Sequence, residues 1–253
     1  MIIIAIMIAL CVGVFLYMFK QANENNVRLH TIRTAGKDET IRLFFISDTH
    51  ARKINEQMIA SITEPVDCVV IGGDFVDRRT SKHIMHENIR LLKTLGPVYF
   101  VWGNNDREQE ESALRQLFKQ HEIKIIENES IIIESKNNVK ISAVDFQFAS
   151  RGVERAIQNC DEQMTIFIAH NPQVFPKIHS KFKPLLSIGA HLHGGQIRLG
   201  NFGIQPHGYF AEKNGHYELV SNGYGTTLVP LRLGAKPECH LIEIKFNPNT
   251  IKL

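Results

Sequence analysis

The chain has 253 residues, enough for one large domain or two small ones, and its 43% hydrophobic and 22% charged residues are those of an ordinary globular protein. A net charge of only +3, with no run of five or six like charges, argues against a nucleic-acid-binding protein. The 4 cysteines are far apart and form no C-x-x-C pair, which argues against a zinc finger or a disulfide framework and fits buried thiols in a reducing compartment.

The first predicted element is a transmembrane helix over residues 1–19. This stretch is apolar throughout, and roughly 18 to 20 such residues cross the hydrocarbon core of a bilayer. It lacks the basic start and the small-residue cleavage site of a signal peptide, so we favour a retained anchor over a cleaved signal. Basic residues follow it closely and none precedes it, which predicts a single-pass protein of the cell membrane with its catalytic domain in the cytoplasm. Residues 20–40 are polar without clear periodicity and are interpreted as a tether.

Residues 41–253 are predicted to form one domain, an α/β fold with two facing mixed β-sheets flanked by helices. Apolar runs and amphipathic helices alternate in its first part, which is typical of a parallel sheet with right-handed crossovers. The predicted strands are 41–46, 67–71, 98–102, 164–169, 185–190 and 240–246, and the predicted helices are 54–63, 81–95, 111–120, 151–159 and 172–180. Closely spaced strands at 124–126, 130–134 and 139–145 are expected to form antiparallel hairpins.

Polar residues follow the predicted strands at the points where they end. These segments are 47–50, 72–77, 103–106, 169–172 and 190–195. They offer carboxylates, an amide and imidazoles, which are donors that divalent metal ions bind. Because open α/β sheets build their sites at the carboxyl ends of strands, we expect the side chains to converge. Asp74 and Asn104 each follow a glycine, whose missing side chain lets backbone and metal approach closely.

The polar segments resemble the D-x-H, G-D-x-x-D, G-N-x-[D/E], H and G-H-x-H motifs of calcineurin-like metallophosphoesterases. Segments 191–199 and 220–227 further resemble a bacterial membrane-associated branch of that family. This branch includes YkuE-like and YaeI-like proteins and UDP-diacylglucosamine pyrophosphatases. The resemblance extends over about residues 41–246, nearly everything outside the predicted anchor.

The resemblance implies a phosphoesterase with two divalent metal ions. Such an enzyme hydrolyses phosphodiester or pyrophosphate bonds by attack of a hydroxide that bridges the ions. Asp74 would bridge both ions, and the other ligands would divide into Asp48, His50 and His193 for one ion and Asn104, His170 and His191 for the other. Manganese is the expected metal, with iron, zinc and nickel as alternatives, because the ligand types alone do not separate them.

Two positions depart from the family motifs. Asn105 stands where the family has a histidine that stabilises the transition state or protonates the leaving group. An amide donates a hydrogen bond but has no proton to give near neutral pH, so we expect a good leaving group or slower turnover. Asn105 and Asp74 are the predicted catalytic residues, and Asp106 is a candidate to compensate for the missing histidine. Ala190 replaces a glycine and should affect packing more than ligation.

Four further residues have two interpretations each. Asp77 either orients a ligand imidazole or the Asp74 loop, or only caps a helix. Arg198 and Arg232 either meet a second phosphate or an acidic head group, or form surface ion pairs. His207 follows the last ligand motif and either borders the substrate or is a solvated side chain.

The predicted membrane anchor favours a substrate that is found near the bilayer. A flexible tether would keep the site near the bilayer, so a phosphorylated small molecule or a lipid-linked phosphate is expected. The alternative is a metal-stabilised scaffold that binds a protein partner without catalysis, with Asn105 as its best support. Retention of the other ligands argues against a scaffold, whereas an exposed apolar patch over the metal site would favour it. No nucleic-acid partner is expected, and the sequence does not indicate the oligomeric state.

Overall fold

Two six-stranded β-sheets face each other in the computed structural model, which describes residues 1–135 and 137–250, apart from the side chains of residues 148–150. The helices are α1 (Ile2–Ala22), α2 (Glu56–Ala60), α3 (Lys82–Lys93), α4 (Glu111–Gln120), α5 (Ala149–Ala156) and α6 (Phe175–His179). The strands are β1 (Val27–Ala35), β2 (Glu39–Ile46), β3 (Cys68–Ile71), β4 (Val98–Phe100), β5 (Lys124–Ile125), β6 (Glu129–Ile132), β7 (Lys140–Val144), β8 (Thr165–Ala169), β9 (Leu186–Gly189), β10 (Arg198–Leu199), β11 (Phe202–Gly203), β12 (Tyr209–Lys213), β13 (His216–Val220) and β14 (Cys239–Asn247). The end of the predicted domain at residue 253 lies outside the described residues.

The first sheet has the strand order β1-β14-β2-β3-β4-β5. Strands β2 to β5 run parallel to one another, and β14 is antiparallel to β2. Strand β3 is buried at every position, which explains why it reads as an unbroken apolar run. The helix between β3 and β4 begins as predicted, because the Ser81 hydroxyl accepts a hydrogen bond from the Ile84 backbone N–H at 3.3 Å.

The second sheet has the strand order β12-β13-β9-β8-β7-β6 and is also mixed. One buried cluster fills the space between the sheets, with Phe45 and Val70 from the first sheet and Ile168 and Leu219 from the second. Helices α2 to α4 cover the outer face of the first sheet, and α5 and α6 cover the outer face of the second. The predicted α/β fold with two facing mixed sheets flanked by helices is therefore confirmed.

The predicted tether over residues 20–40 is wrong for most of its length. Residues 27–35 form β1, an edge strand that pairs in parallel with β14. Of its nine side chains only Ile32 is fully buried, and the strand includes the polar or charged residues Arg28, His30, Thr31, Arg33 and Thr34. Edge strands carry such charges because one side faces water, so the apolar periodicity that marks a buried strand is missing here.

The predicted strand at 124–126 does not join an antiparallel hairpin. Strand β5 extends the first sheet in parallel with β4. The chain passes from β4 to β5 through helix α4. A crossover through a helix brings the second strand parallel to the first, so β5 runs parallel to β4. Strands β6 and β7 do form the predicted antiparallel pair.

Helix α1 is long and apolar enough to cross a membrane, and its apolar stretch makes no contact that buries it. A signal sequence passes the same test of length and composition. Its last turn contacts the domain directly, because the Met18 carbonyl accepts from the Arg232 N–H at 3.1 Å and Gln21 Oε1 accepts from the Gly234 N–H at 2.8 Å. Only a few residues separate this helix from β1, so the domain is held close to it.

A histidine pair joins β1 to β14 and predicts an effect of pH on stability. His30 Nε2 and His240 Nδ1 lie 3.0 Å apart. Burial and the charge of Arg28 lower the pKa of His30 to about 4, from the 6.5 of a free histidine, and burial lowers the pKa of His240 well below that value. Between pH 6.5 and pH 4 the unfolded chain therefore binds more protons than the folded protein. The contribution of the pair to the free energy of unfolding is full above pH 6.5, and it is lost as the pH falls toward 4.

We expect His30→Gln to flatten the dependence of the free energy of unfolding on pH in this range. Urea denaturation of the full chain in detergent at a series of pH values measures that slope. His83→Gln, at an exposed position of α3, is the matched control and should retain the wild-type slope. Equal slopes for both variants would show that the pair is not the source of acid sensitivity.

Candidate metal centre

The predicted ligands lie on loops at the carboxyl ends of strands from both sheets. Asp48 and His50 follow β2, Asp74 follows β3 and Asn104 follows β4. The second sheet contributes His170 after β8, and His191 and His193 after β9. Because the two sheets present these strand ends at one edge of the sandwich, residues far apart in sequence meet there.

The structure brings six of these side chains into two groups. The first cluster is Asp48, His50 and His193, and the second cluster is Asp74, His170 and His191; within each cluster the potential ligand atoms lie within 4.8 Å of one another. The first cluster contains the three residues that the resemblance assigns to one ion, whereas the second contains His170 and His191 together with Asp74, the predicted bridge, and does not include Asn104.

The two clusters are adjacent. His170 Nε2 lies 3.3 Å from Asp74 Oδ2 and 3.9 Å from Asp48 Oδ1, so it faces a carboxylate from each cluster. His50 Nε2 lies 4.0 Å from Asp74 Oδ2 and 3.3 Å from His193 Nε2. Carboxylates and imidazoles of both clusters therefore surround one small volume.

The backbone of the ligand loops is strained. Asp48, His50, Asp74, His191 and His193 all have positive φ, between 48° and 69°. Residues other than glycine rarely adopt this conformation, and it persists only where surrounding contacts impose it. Strain concentrated at the predicted ligands indicates that the fold holds these side chains in place for a function.

Two glycines make room for the ligands, as their position before Asp74 and Asn104 suggests. A Cβ on Gly73 would lie 2.5 Å from His170 Nδ1, and one on Gly103 would lie 2.2 Å from Asp74 Oδ1. Any side chain at either position would displace a predicted ligand.

Three contacts fix the ligand imidazoles from behind. His170 Nδ1 donates to the Gly72 carbonyl at 2.8 Å, which leaves Nε2 as its free ligand atom. The Asp77 carboxylate lies 3.5 Å from His50 Nδ1 without a hydrogen bond to it, and it accepts hydrogen bonds from Arg79 and Thr80. This geometry supports the interpretation of Asp77 as a residue that orients an imidazole.

The third contact is one that sequence reasoning missed. Arg232 is fully buried, and its Nη2 lies 3.3 Å from His193 Nδ1. Its other hydrogen bonds go to backbone carbonyls of His193, Asn222, Gly223, Gly225 and Ala235. Arg198 is also buried and donates to the Gly194, Asn201 and Gln205 carbonyls. Neither arginine forms the predicted surface ion pair, and both are engaged in holding the loop that carries His193.

Asp106 likewise has a structural role rather than the compensating role considered for it. Its buried carboxylate accepts from the backbone N–H groups of Gly103 at 2.7 Å, Asp74 at 2.9 Å and Val76 at 3.1 Å. It therefore joins the loops after β3 and β4. The G-N-x-[D/E] motif was the signal that marked this position.

The asparagine pair differs from the other predicted site residues. Asn104 is exposed, and its amide nitrogen donates to Asn105 Oδ1 at 2.6 Å. Asn105 donates from its backbone to Asp74 Oδ1 at 2.7 Å and from its side chain to Glu108 Oε1 at 2.9 Å. Asn105 thus contacts the second cluster through its backbone, and its predicted role and that of Asn104 stay predictions.

The electrostatics of the clusters favour a bound cation. Burial of Asp74 alone would raise the pKa of its carboxyl. The charge and hydrogen bond of the neighbouring His170 have the larger effect and hold that pKa below its usual range. Burial also opposes a charge on His170, yet Asp74 and Asp48 raise the pKa of its ring to about 10. Burial lowers the pKa of His193 to about 3, so this ring is a neutral donor. The buried carboxylates thus require positive charge beside them.

Two buried ligand atoms without a hydrogen-bond partner are consistent in chemistry and position with a bound metal ion. In the described part of the chain, Asp48 Oδ1 and His170 Nε2 are buried without a hydrogen-bond partner. A buried polar atom without a hydrogen-bond partner lowers the free energy of unfolding by about 1–3 kcal/mol, and a bound metal ion would remove that cost. Oxygen and imidazole donors suit the borderline divalent ions.

Sequence comparison identifies the family. A family model described as "Calcineurin-like phosphoesterase superfamily domain" matches residues 41–174, a range that includes Asp48, His50, Asp74, Asn104 and His170. The chain belongs to this superfamily. The calcineurin-like phosphoesterases use divalent metals, and membership places the chain among metal-dependent phosphoester hydrolases.

Relatives of this phosphoesterase occur in Bacillus subtilis (strain 168). It is 37% identical to "Uncharacterized protein YpbG" over 90% of each chain. It is 26% identical to "Uncharacterized metallophosphoesterase YkoQ" over 92% of this chain and 97% of the relative. It is 24% identical to "Uncharacterized metallophosphoesterase YkuE" over 79% of this chain and 76% of the relative. The predicted membership of the YkuE and YaeI branch, with its UDP-diacylglucosamine pyrophosphatases, stays a prediction.

Proposed function

We propose that this phosphoesterase uses two divalent metal ions, with manganese as the expected metal, to hydrolyse phosphodiester or pyrophosphate bonds. The observation that carries the proposal is the pair of adjacent clusters, each with its ligand atoms within 4.8 Å. Asp74 Oδ2 lies 3.3 Å from His170 Nε2 of its own cluster and 4.0 Å from His50 Nε2 of the other, which supports a bridging role for this carboxylate. Asn104 would complete the second cluster by turning its amide oxygen inward.

The protein's own groups determine the geometry of the site. When bound, two such ions supply an activated water and neutralise negative charge on the phosphoryl oxygens. The Gly72 carbonyl holds the ring of His170 with Nε2 toward the two carboxylates, and Asp77 lies beside the ring of His50. The side chain of Asn105 would donate a hydrogen bond to a phosphoryl oxygen once it leaves Glu108.

Asn105 predicts a dependence on the leaving group. Because its amide gives no proton, the leaving group must depart as an anion, which favours activated esters and pyrophosphates. We expect Asn105→His to raise kcat for a diester with an alkoxide leaving group by about 10²-fold, the size of a general-acid contribution. The rate for a p-nitrophenyl diester should change little, because p-nitrophenolate leaves without protonation.

The ratio of the two rates in wild type, Asn105→His and Asn105→Gln measures this effect. Asn105→Gln is the matched control, since it keeps an amide and adds no acid. Equal ratios in all three proteins would contradict the assignment of Asn105 to the leaving-group side.

We further propose that α1 anchors the site at the cell membrane with the domain in the cytoplasm. Its length and apolar composition support a membrane span, and its last turn contacts the domain directly. The substrate would then be a phosphorylated small molecule or a lipid-linked phosphate near the membrane surface.

The test is an assay of the full chain in detergent, loaded with manganese, on bis-p-nitrophenyl phosphate beside p-nitrophenyl phosphate. A shorter chain beginning at residue 40 would lack β1 and is not suitable. Hydrolysis of the diester that is lost in His191→Ala and kept in His83→Ala would support the proposal. Two bound ions with no hydrolysis of either ester would contradict it.

The alternative function, a scaffold that binds a protein partner, is favoured by an exposed apolar patch. Large apolar side chains are exposed beside the loop of His193, among them Phe202, Ile204 and Leu228. Such a patch is what a scaffold without catalysis would present to a protein partner. Because this patch lies near the end of α1, the bilayer could cover it instead of a protein.

A further inference from the structure

Two neighbouring loops expose a group of large apolar side chains, called here the apolar rim: Leu199, Phe202, Ile204, Leu228 and Val229. Their exposed fractions are 73%, 84%, 87%, 86% and 44%. The loops lie side by side because Gln196 Nε2 donates to the carbonyls of Thr227 at 3.1 Å and Val229 at 3.0 Å. Single exposed apolar residues are ordinary, but a contiguous group marks a contact surface.

The conformation of Leu228 is unusual for its exposure. Its φ is +59°, a region that a leucine enters only under constraint. The Val229 N–H donates to the Thr227 carbonyl at 2.6 Å, which closes a tight turn around Leu228, and Gln196 Nε2 bonds to the residues on either side. The fold therefore holds an apolar side chain outward at a cost, which is typical of a functional contact.

The apolar rim lies at the end of α1. The loop that carries Leu228 continues to Arg232 and Gly234, whose backbone N–H groups bond to Met18 and Gln21 in the last turn of the helix. At about 1.5 Å per residue, the 21-residue helix spans about the 30 Å of a bilayer core. If the helix spans the bilayer, its last turn lies at the membrane surface, and the loop of Leu228, which is bonded to that turn, lies beside the surface with the neighbouring loop held to it by Gln196.

The charges of both loops suit a lipid surface. Neither residues 190–211 nor residues 219–237 include an aspartate or a glutamate. Anionic phosphate head groups would therefore meet no acidic side chain from either loop. A protein partner imposes no such requirement.

The same loops carry the metal centre. Arg198 donates to the Gly194 carbonyl at 3.0 Å and also to the Gln205 carbonyl, and Arg232 donates to the His193 carbonyl at 3.3 Å. A ligand of the first cluster is thus joined through buried arginines to both loops of the apolar rim. A groove of about 230 Å³ between the end of α1 and the site loops is lined by Ala22, Ala51, Arg79 and Pro230. It opens where a phosphate at the membrane surface would approach.

We propose that the apolar rim inserts into the interfacial layer of the bilayer and presents the metal centre to phosphates of amphiphilic, lipid-tailed substrates. This inference rests on the proposed membrane span of α1 and on the proposed phosphoesterase activity, and it adds the surface that contacts lipid. A second copy of the chain or a protein partner at the same surface are the competing occupants.

The contact is tested by fluorescence of the full chain reconstituted into vesicles of phosphatidylglycerol and phosphatidylethanolamine. Phe202→Trp places a reporter in the apolar rim, and Ile132→Trp places one at an exposed apolar position of β6, with 61% exposure, as the matched control. The native Trp102 is fully buried, and wild type supplies its background signal. Lipids brominated in their acyl chains quench tryptophans that reach the hydrocarbon boundary.

We expect the Phe202→Trp signal to fall by about half in brominated vesicles, as for a side chain buried about 5–10 Å into the interface, and Ile132→Trp to remain at background. Equal, weak quenching of both would overturn the proposal. A blue-shifted Phe202→Trp emission without quenching would also overturn it, because it would place a protein at the surface.

A second measurement tests the consequence for the substrate. Wild type and the variant Phe202→Ser/Ile204→Ser/Leu228→Ser are assayed on two diesters with the same reacting group, ethyl p-nitrophenyl phosphate in water and hexadecyl p-nitrophenyl phosphate in vesicles. We expect the variant to keep its rate on the ethyl ester and to lose about tenfold on the hexadecyl ester, because it forfeits apolar contact with the bilayer. Equal losses on both esters, or none, would contradict the proposal. If wild type hydrolyses neither ester, the phosphoesterase proposal fails, and the quenching experiment still decides the membrane contact.

Discussion

Asp74→Ala is expected to lower the metal content from two ions per chain to at most one, and to reduce kcat for bis-p-nitrophenyl phosphate by about a thousandfold. The carboxylate faces both His170 and His50, so its removal takes a shared ligand from both ions. A thousandfold corresponds to about 4 kcal/mol of lost transition-state stabilisation, which is within the contribution of a metal ion to charge stabilisation. Elemental analysis of the purified protein and initial rates measure the two effects.

Asp67→Ala is the matched control for this prediction. Asp67 is an exposed aspartate directly before β3, the strand that Asp74 follows, and it lies in neither cluster. It should retain two ions and the wild-type kcat. If Asp74→Ala retains the wild-type metal content and kcat, the assignment of Asp74 as a metal ligand is wrong.

Arg232→Met is expected to lower the free energy of unfolding by about 3–5 kcal/mol, the cost of breaking a buried charged network. The guanidinium is fully buried and donates to backbone carbonyls of His193, Gly225 and Ala235, among others, which would be left without it. Burial lowers the pKa of Arg232 to about 10, so the group stays charged at neutral pH. Because it also contacts His193 Nδ1, metal affinity should fall by about 10- to 100-fold, as for residues that position a ligand.

Urea denaturation and metal titration of the full chain in detergent measure both quantities. Arg232→Lys should recover only part of the loss, since an ammonium cannot reproduce the planar fork of donors. Arg151→Met, at an exposed position of α5, should change the free energy of unfolding by no more than about 0.5 kcal/mol. An Arg232→Met protein as stable as wild type would show that the network does not hold the loop of His193.

The parts of the site that the sequence predicted are those whose position follows from strand ends. Asp48, Asp74 and His170 each lie within three residues of the end of a buried apolar strand, and parallel strands bring such residues to one edge. The two clusters form for this reason, although their members are up to 145 residues apart between His193 and Asp48. Local pattern and topology predicted that these side chains converge, whereas their division between two ions came from the family resemblance and stays a prediction.

Other parts could not be predicted because nothing local marks them. Arg232 has no ligand motif around it, and only the tertiary structure shows that its donors are consumed by buried carbonyls. Strand β1 resembles a polar linker because an edge strand needs few apolar residues. Its pairing with β14 changes the interpretation of the N-terminal part, since the domain is packed against the end of α1 rather than tethered at a distance.

The most direct test of two metal ions at these clusters is anomalous diffraction from crystals of the manganese-loaded protein. We predict two anomalous peaks about 3.5–4 Å apart, the usual separation in two-metal sites. One peak should lie among Asp48, His50 and His193, and the other among Asp74, His170 and His191. A single peak at this edge of the sandwich, or ions bound only at the separate group of His179, His216 and Glu218, would contradict the account.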